Sequence, residues 1–219
     1  QNNLYVIEDC CQAHLAEYKN KMVGTLGDLG CFSFQQSKQI TCGDGGMVIT
    51  NNEPIAIRAA LFADKAWPRN TGQRDYLFLG LNYRMTELQG AVALAQLKKA
   101  EKNINLRRHN AEILTGLISQ IQGLNPTPVL PGCQHSYWLY TFTINEKTGG
   151  ATSKDFEKAL AAEGIPVRLG YIPKLAFNWD AIRERKTYGK SQCPYTCPGA
   201  RKQIEYREEE YVNAQRGLE

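Results

Sequence analysis

Apolar residues fall in short blocks over the first fifty positions and in helical spacing further on. Residues 4–7 form an apolar run that stops at Glu8 and Asp9, as a buried strand ending at a polar rim would. Residues 29–34 and 47–50 predict two more strands, the first starting two positions after Gly27 and the second directly after Gly46. Such nearly continuous apolar strands predict a sheet covered by helices on both faces. Asn52 predicts an N-cap, with Pro54 in the first turn of a helix ending near Asp64. Residues 67–81 are irregular, polar and glycine-bearing, and read as a long functional loop.

Thr86 and Gln89 predict a capping box, followed by Leu88, Val92 and Ala95 on the apolar face of a helix ending near Asn103. A second helix is expected over residues 106–120, with Ile113, Leu117 and Ile121 on one face. Pro126, Pro128, Pro131 and Gly132 then interrupt the chain. Residues 137–144 predict an aromatic and β-branched strand. Ser153 predicts the cap of a helix over 155–163 ended by Gly164, and residues 165–168 the next strand. The tail from Arg183 mixes both charges and reads as solvated surface. The pattern as a whole is α/β, with one domain expected over 1–103 and a smaller α/β domain over 104–219.

The 219 residues are 42% hydrophobic and 22% charged, which supports a sizeable core and excludes a disordered chain, a collagen and a coiled coil. A net charge of +4, with its basic residues scattered, gives nucleic-acid binding no footing. The apolar runs are far shorter than the roughly 18 residues of a membrane span, so no membrane partner is expected. The chain has 7 cysteines. Cys193 and Cys197 are the one close pair, and no second pair or histidine completes a zinc site, so no metal and reduced thiols in a cytoplasmic protein are expected.

The residues that suggest chemistry are Asp9, Gln12, the run S-F-Q-Q-S-K from Ser33 to Lys38, and the turn G-D-G-G at 43–46. Asp9 lies where a parallel strand would end, which is where open α/β sheets bind ligands. Lys38 sits between an apolar strand and a glycine turn rather than on a charged helix face. A lysine in such a setting can attack a carbonyl and form a Schiff base. The glycines let backbone approach a ligand closely. A surface lysine and an ordinary strand-end carboxylate are the plainer alternative.

The stretch V-I-E-D-C-C-Q-A-H (6–14), then G-D-L-G-C-F-S-F-Q-Q-S-K (27–38) and C-G-D-G-G-M-V-I-T (42–50), closely resembles the DegT/DnrJ/EryC1/StrS family. L-G-L-N-Y-R-M-T-E-L-Q-G-A (79–91) resembles a further signature of these pyridoxal-phosphate-dependent sugar aminotransferases. The resemblance implies the type I, aspartate aminotransferase-like fold, with 1–103 as the C-terminal part of the large cofactor-binding domain and 104–219 as a truncated small domain. It implies Lys38 as the Schiff-base lysine and proton carrier, and Asp9 as the partner of the pyridine nitrogen. Gln12 would lie near the phenolic oxygen, and Ser33 would bind the phosphate. Asn82, with Arg84 as a helper, would reach the phosphate of a neighbouring subunit, which requires a homodimer with shared active sites. Tyr171, in L-G-Y-I-P-K-L, is a substrate-contact candidate. The implied reaction moves an amino group from glutamate or glutamine to a keto-sugar, cyclitol ketone or related cyclic ketone. A catalytically silent member of the same fold is the alternative.

Some residues depart from the family pattern. Leu15 stands where a glycine is common, Cys11 where a small residue is, and Asp44 replaces the usual glutamate. Lys174, Leu175 and Ala176 follow Pro173 where a histidine is often found, which puts a nucleotide-sugar acceptor in doubt. F-S-F-Q-Q-S-K (32–38) with A-D-K-A-W-P-R (63–69) resembles the branch acting on cyclitol ketones or aminohydroxybenzoate-type precursors. Lys38 argues against the dehydratase branch, which carries histidine there. His14 is expected to be structural, His109 solvent-facing, and Trp67 and Trp138 packing aromatics. A complete member extends beyond both Gln1 and Glu219, so an interior fragment is expected.

Overall fold

The computed structural model describes residues 4–69, 71–187, 189–200 and 205–218. Gln1 and parts of the charged tail therefore lie outside the described residues. The chain divides into two compact units, Gln1–Thr143 and Ile144–Glu219.

The first unit opens with β1 (Ile7–Asp9), β2 (Glu17–Tyr18), β3 (Lys21–Met22), β4 (Leu29–Ser33) and β5 (Gly46–Ile49). β1 pairs parallel with β4, with Asp9 opposite Cys31, and β5 closes the sheet antiparallel to β4 with Gly46 opposite Ser33. β1 starts at Ile7, where the apolar run ends, and Leu4, Tyr5 and Val6 are exposed outside it. The reason is Glu8. Its carboxylate faces the loop after β3 and accepts the backbone N–H groups of Gly24, Leu26 and Gly27 at 2.7, 2.6 and 2.6 Å. Burial pushes this carboxyl up, but the three backbone bonds outweigh it and leave it below its ordinary value. Ile7, Met47 and Val48 remain exposed, so within this chain the sheet is not covered on both faces as its apolar strands predict. β2 and β3 form a hairpin turned by Lys19 and Asn20, both at positive φ, and β2 also pairs with Cys133–Gln134 further along the chain.

α1 (Glu53–Ala63) begins as expected: Asn52 accepts the N–H of Ile55 at 3.2 Å and Pro54 sits in the first turn. α2 (Glu87–Ile118) carries the capping box of Thr86 and Gln89 and runs unbroken for 32 residues, about 48 Å. The expected break near Asn103 is absent because neither glycine nor proline occurs between Ala91 and Thr115, and Ile104 is fully buried there. The domain boundary expected at 103/104 thus falls within a helix, while the compact units part at Thr143. The buried stripe also differs from the expected one. Ala100, Ile104 and Ala111 face inward, and Leu88, Val92, Ile113 and Leu117 are exposed. Ala100 joins Phe34, Ile40 and Cys42 in the core, with Leu15, Met85 and Ala93 packed against it.

β6 (Leu124–Pro126) and β7 (Cys133–Gln134) follow α2. The strand expected over 137–144 is confined to Phe142–Ile144, because Tyr137 takes a φ of 49° and the aromatic segment turns instead of extending. In the second unit a helix spans Ser153–Ala162. Its cap is Thr152, which accepts the N–H of Asp155 at 3.1 Å, so the expected cap at Ser153 is one residue late. Residues 165–168 form no strand. Phe177 stacks on Tyr206 with centroids 5.1 Å apart. Cys193 and Cys197 form a disulfide, a correction to the expected reduced thiols. The turn between them brings their Cα atoms to 5.4 Å, within disulfide reach. Cys10, Cys11, Cys31, Cys42 and Cys133 are free thiols. Among the described residues no helix is long and apolar enough to cross a membrane.

Candidate active site

Asp9 and Ser33 stand at the C-terminal ends of the two parallel strands, where helix and loop connections leave a sheet open to ligand. Between Phe34 and Cys42 the chain makes a short excursion with Lys38 near its tip. Its stem is pinned by Phe34 N–H to Gly45 O at 2.8 Å and Cys42 N–H to Phe34 O at 3.0 Å, and both stem residues belong to the core. Inside the loop, Lys38 N–H donates to Gln35 O at 2.9 Å, and Gln35 Oε1 accepts both the backbone N–H and the hydroxyl of Ser37. The glycine turn that follows is tied to the start of α2 by Gln89, whose amide donates to Asp44 O at 3.0 Å.

Behind Lys38 lies a buried polar network. Gln39 Oε1 meets His14 Nδ1 at 3.1 Å, while its amide donates to Gln12 O at 3.0 Å and to Ser136 Oγ at 3.3 Å. The lysine loop, Gln12 and the segment around residue 136 are thereby fastened together. Gln12 enters through its backbone, and its side chain is exposed. His14 is structural, as expected. Burial, and more weakly the Lys38 charge, hold it below its ordinary value of 6.5, outweighing its bond to Gln39. Its Nε2 is buried with no hydrogen-bond partner. His135 is lowered by burial as well. Unfolding therefore takes up protons below about pH 6.5, so the stability these rings allow is present above that pH and lost as pH falls through it. Thermal melts should drop between about pH 7.5 and about 5.5, and His14→Asn should flatten that slope; an unchanged slope would contradict the buried neutral ring.

Asp9 is held as an anion. The Cys11 thiol, and then the Cys11 N–H at 3.0 Å from Asp9 Oδ1, lower its carboxyl, with the Lys38 charge adding to them. The Cys11 thiol is pushed up to about 11, first by Asp9 and then by burial, and so stays protonated as a donor. Ser33 Oγ accepts the Gln35 N–H at 3.3 Å. Asp9, Gln12, Ser33 and Lys38 are thus brought to one end of one sheet.

Asn82 and Arg84 belong to another cluster. Residues 81–83 are stitched to the end of α1 through Leu81, Tyr83 and a bridge between Asp64 and Asn82. Arg84 Nε lies 2.9 Å from Asn82 Oδ1 and 3.3 Å from Asp64 Oδ1. Arg69 grips the same carboxylate from its other side and is the main reason it lies below its ordinary value. Tyr171 lies in the second unit, exposed. His109 is exposed, and Trp67 packs edge-on against Tyr76 at 5.1 Å.

Trp138 is more than a packing aromatic. Its ring lies under the Lys38 ammonium, 4.4 Å from Nζ to centroid, and its indole N–H donates to Ser37 O at 2.9 Å. It comes from a part of the chain that periodicity reads as plain strand, so no local signal marks it. Cys11 was visible only as a departure from a pattern. A cleft of about 380 Å³, lined by Gly24, Asp28, Ile49 and Asn52 among others, lies at the opposite end of the sheet and holds none of these groups.

The α/β chain thus presents a lysine on a loop pinned to the core and a fixed carboxylate at the ends of two parallel strands. The profile of the DegT/DnrJ/EryC1/StrS aminotransferase family matches residues 1–205, and the chain belongs to that family. It is 36% identical over 185 residues to the L-glutamine:2-deoxy-scyllo-inosose aminotransferase of Streptoalloteichus tenebrarius, covering 79% of this chain and 43% of that protein. It is 35% identical over 178 residues to the GDP-perosamine synthase of Caulobacter vibrioides, covering 79% of this chain and 46% of that protein. Among solved structures, the E coli GDP-4-keto-6-deoxy-D-mannose-3-dehydratase with bound hydrated PLP superposes with a TM-score of 0.73 at 26% identity, over 83% of this chain and 50% of that one. The fold is therefore that of the type I aminotransferases, and the chain spans about half the length of the relatives it matches.

Proposed function

We propose that this chain carries the lysine site of a pyridoxal-phosphate-dependent aminotransferase. The reaction moves an amino group from glutamate or glutamine to a keto-sugar, cyclitol ketone or related cyclic ketone. The observation that carries this reading is Lys38 at the tip of a loop pinned to the core, with the Asp9 carboxylate fixed beside it at the strand ends. The residues fit the cofactor: a primary amine, an anion held by the Cys11 N–H, and a small hydroxyl at Ser33 lie at one sheet end. When bound, pyridoxal phosphate supplies a carbonyl for the amine and an electron sink for the substrate carbon.

With pyridoxal phosphate bound, Asp9 would hold the ring nitrogen and keep it protonated, and Lys38 would be the point of attachment through Nζ and the group that carries a proton. Ser33 would bind the phosphate, and Gln12 would hold the phenolic oxygen. Asn82 and Arg84, which are fastened to α1 and to Asp64 instead, serve the site of a neighbouring subunit in a homodimer, and Tyr171 contacts substrate. Residues 1–103 form the C-terminal part of the large domain and 104–219 belong to the small one, with α2 carrying the chain between them. The names of the inosose aminotransferase and the perosamine synthase support a cyclic polyol-type acceptor and a place in aminosugar biosynthesis; secondary-metabolite biosynthesis in the cytoplasm is part of the same reading. No observation favours a silent fold.

Incubation with pyridoxal phosphate, borohydride reduction and peptide mass mapping test the reading. A reduced phosphopyridoxyl group on Lys38 is expected. Labelling scattered over surface lysines in a folded protein would reject it.

A further inference from the structure

We propose that Trp138 is a positioning residue for Lys38, its indole face being the seat on which the lysine amine rests whenever that amine is not covalently engaged. The inference deepens the reading of Lys38 as the attachment lysine and rests on it. Nζ lies 4.4 Å from the ring centroid, within the range at which an ammonium is drawn to an aromatic face. The ring cannot swing freely, because its N–H is bonded to Ser37 O at 2.9 Å, one residue before the lysine it carries. Its chain neighbours are fastened in turn. Arg107 donates to Tyr137 O at 3.1 Å and Arg108 to His135 O at 3.0 Å, and Tyr140 Oη meets Thr115 Oγ1 at 2.9 Å, so α2 holds the segment on both sides of the tryptophan.

The chemistry explains why a ring suits this place. A lysine that must leave one bond, carry a proton and return carries a flexible four-carbon stem, and its amine needs a definite resting place between events. A carboxylate there would pair with the ammonium and take hydrogen bonds from it. An aromatic face attracts the cation without accepting its proton, so the amine stays placed and free to act. Asp9 stays committed to the Cys11 N–H, which leaves the ring as the group under Nζ.

The test uses the 219-residue chain without cofactor. Trace acetic anhydride labelling with mass mapping gives the acetylation rate of Lys38 relative to Lys98 and Lys158. Trp138→Gln keeps an N–H donor and loses the face; it is expected to raise the Lys38 rate about three- to fivefold. Trp138→Phe keeps a face and loses the donor; it is expected to stay within about twofold of the parent. A rise in Trp138→Phe as large as that in Trp138→Gln would show that the aromatic face is not what restrains the amine, and no change in Trp138→Gln would remove the seat; either result overturns the proposal. Should Trp138→Gln fail to fold, the parent chain decides. After reductive ¹³C-dimethylation, which preserves the charge, the Lys38 methyl signal should lie upfield of the other lysines through the ring current, and an unshifted signal overturns the proposal. Neither measurement involves cofactor, so failure here is distinct from failure of the borohydride trapping.

Discussion

Lys38→Arg is expected to lower amino-group transfer by at least about a thousandfold while leaving the protein folded. Arginine keeps the positive charge and can still lie on the Trp138 ring, so the contacts of the folded state survive. What it loses is a primary amine, and with that both attack on a carbonyl and proton transfer. The loop does not depend on the side chain for its shape, because the Phe34 and Cys42 backbone bonds and the Gln35 turn hold it. Steady-state transfer from glutamate and from glutamine, with melting curves alongside, measures both parts. A variant retaining more than about a tenth of the activity would remove Lys38 from the chemistry.

The second large effect concerns stability. A Cβ on Gly30 would fall 2.4 Å from Gly24 O and 2.5 Å from Gly24 Cα, where β4 passes the loop held by Glu8. Both obstacles are backbone atoms, so no rotamer change relieves the clash, and either β4 or the 24–27 loop must move. Gly30→Ala is expected to cost about 3 kcal/mol or more, a melting-temperature fall of roughly 6–12 °C for a chain of this size. Gly90→Ala is the control: it lies in α2 with nothing within 4 Å of the added Cβ, and should be neutral or slightly stabilising. Equal effects of the two substitutions would show that the β4–loop approach is not a tight contact.

The features legible in the sequence were those with local causes. Asn52, Pro54, Thr86 and Gln89 mark helix starts through bonds to residues at most four positions away, and the structure forms both caps. β4 and β5 match their expected spans to within a residue because each is a short apolar block that opens just after a glycine turn. Asp9 and Lys38 could be singled out because strand ends and glycine turns are local signals too, whereas Ser33 was marked only by the resemblance to the family. Features set by distant partners were not legible. The inward face of α2 is chosen by the core around Phe34, and two apolar faces of the same helix look alike in sequence. β1 is registered by Glu8, a charged residue that reads as the end of a strand and proves to be its anchor. The turn at Tyr137 cancels a strand that composition favours. Trp138 acquires its role only through a loop far earlier in the chain.

That distance has a consequence in time. The bonds that complete the lysine environment join Gln39 to Ser136, Leu15 to Arg108 and Ser37 to Trp138, separations of 97, 93 and 101 residues. At typical ribosomal speeds of about 5–20 residues per second, roughly 5–20 s pass between the appearance of Lys38 and that of the tryptophan beneath it. Throughout that interval the strand-end carboxylate and its Cys11 donors already exist, while the amine has no aromatic floor. On the growing chain Lys38 is an ordinary surface amine, and it becomes a placed one only after α2 and the segment behind it have emerged.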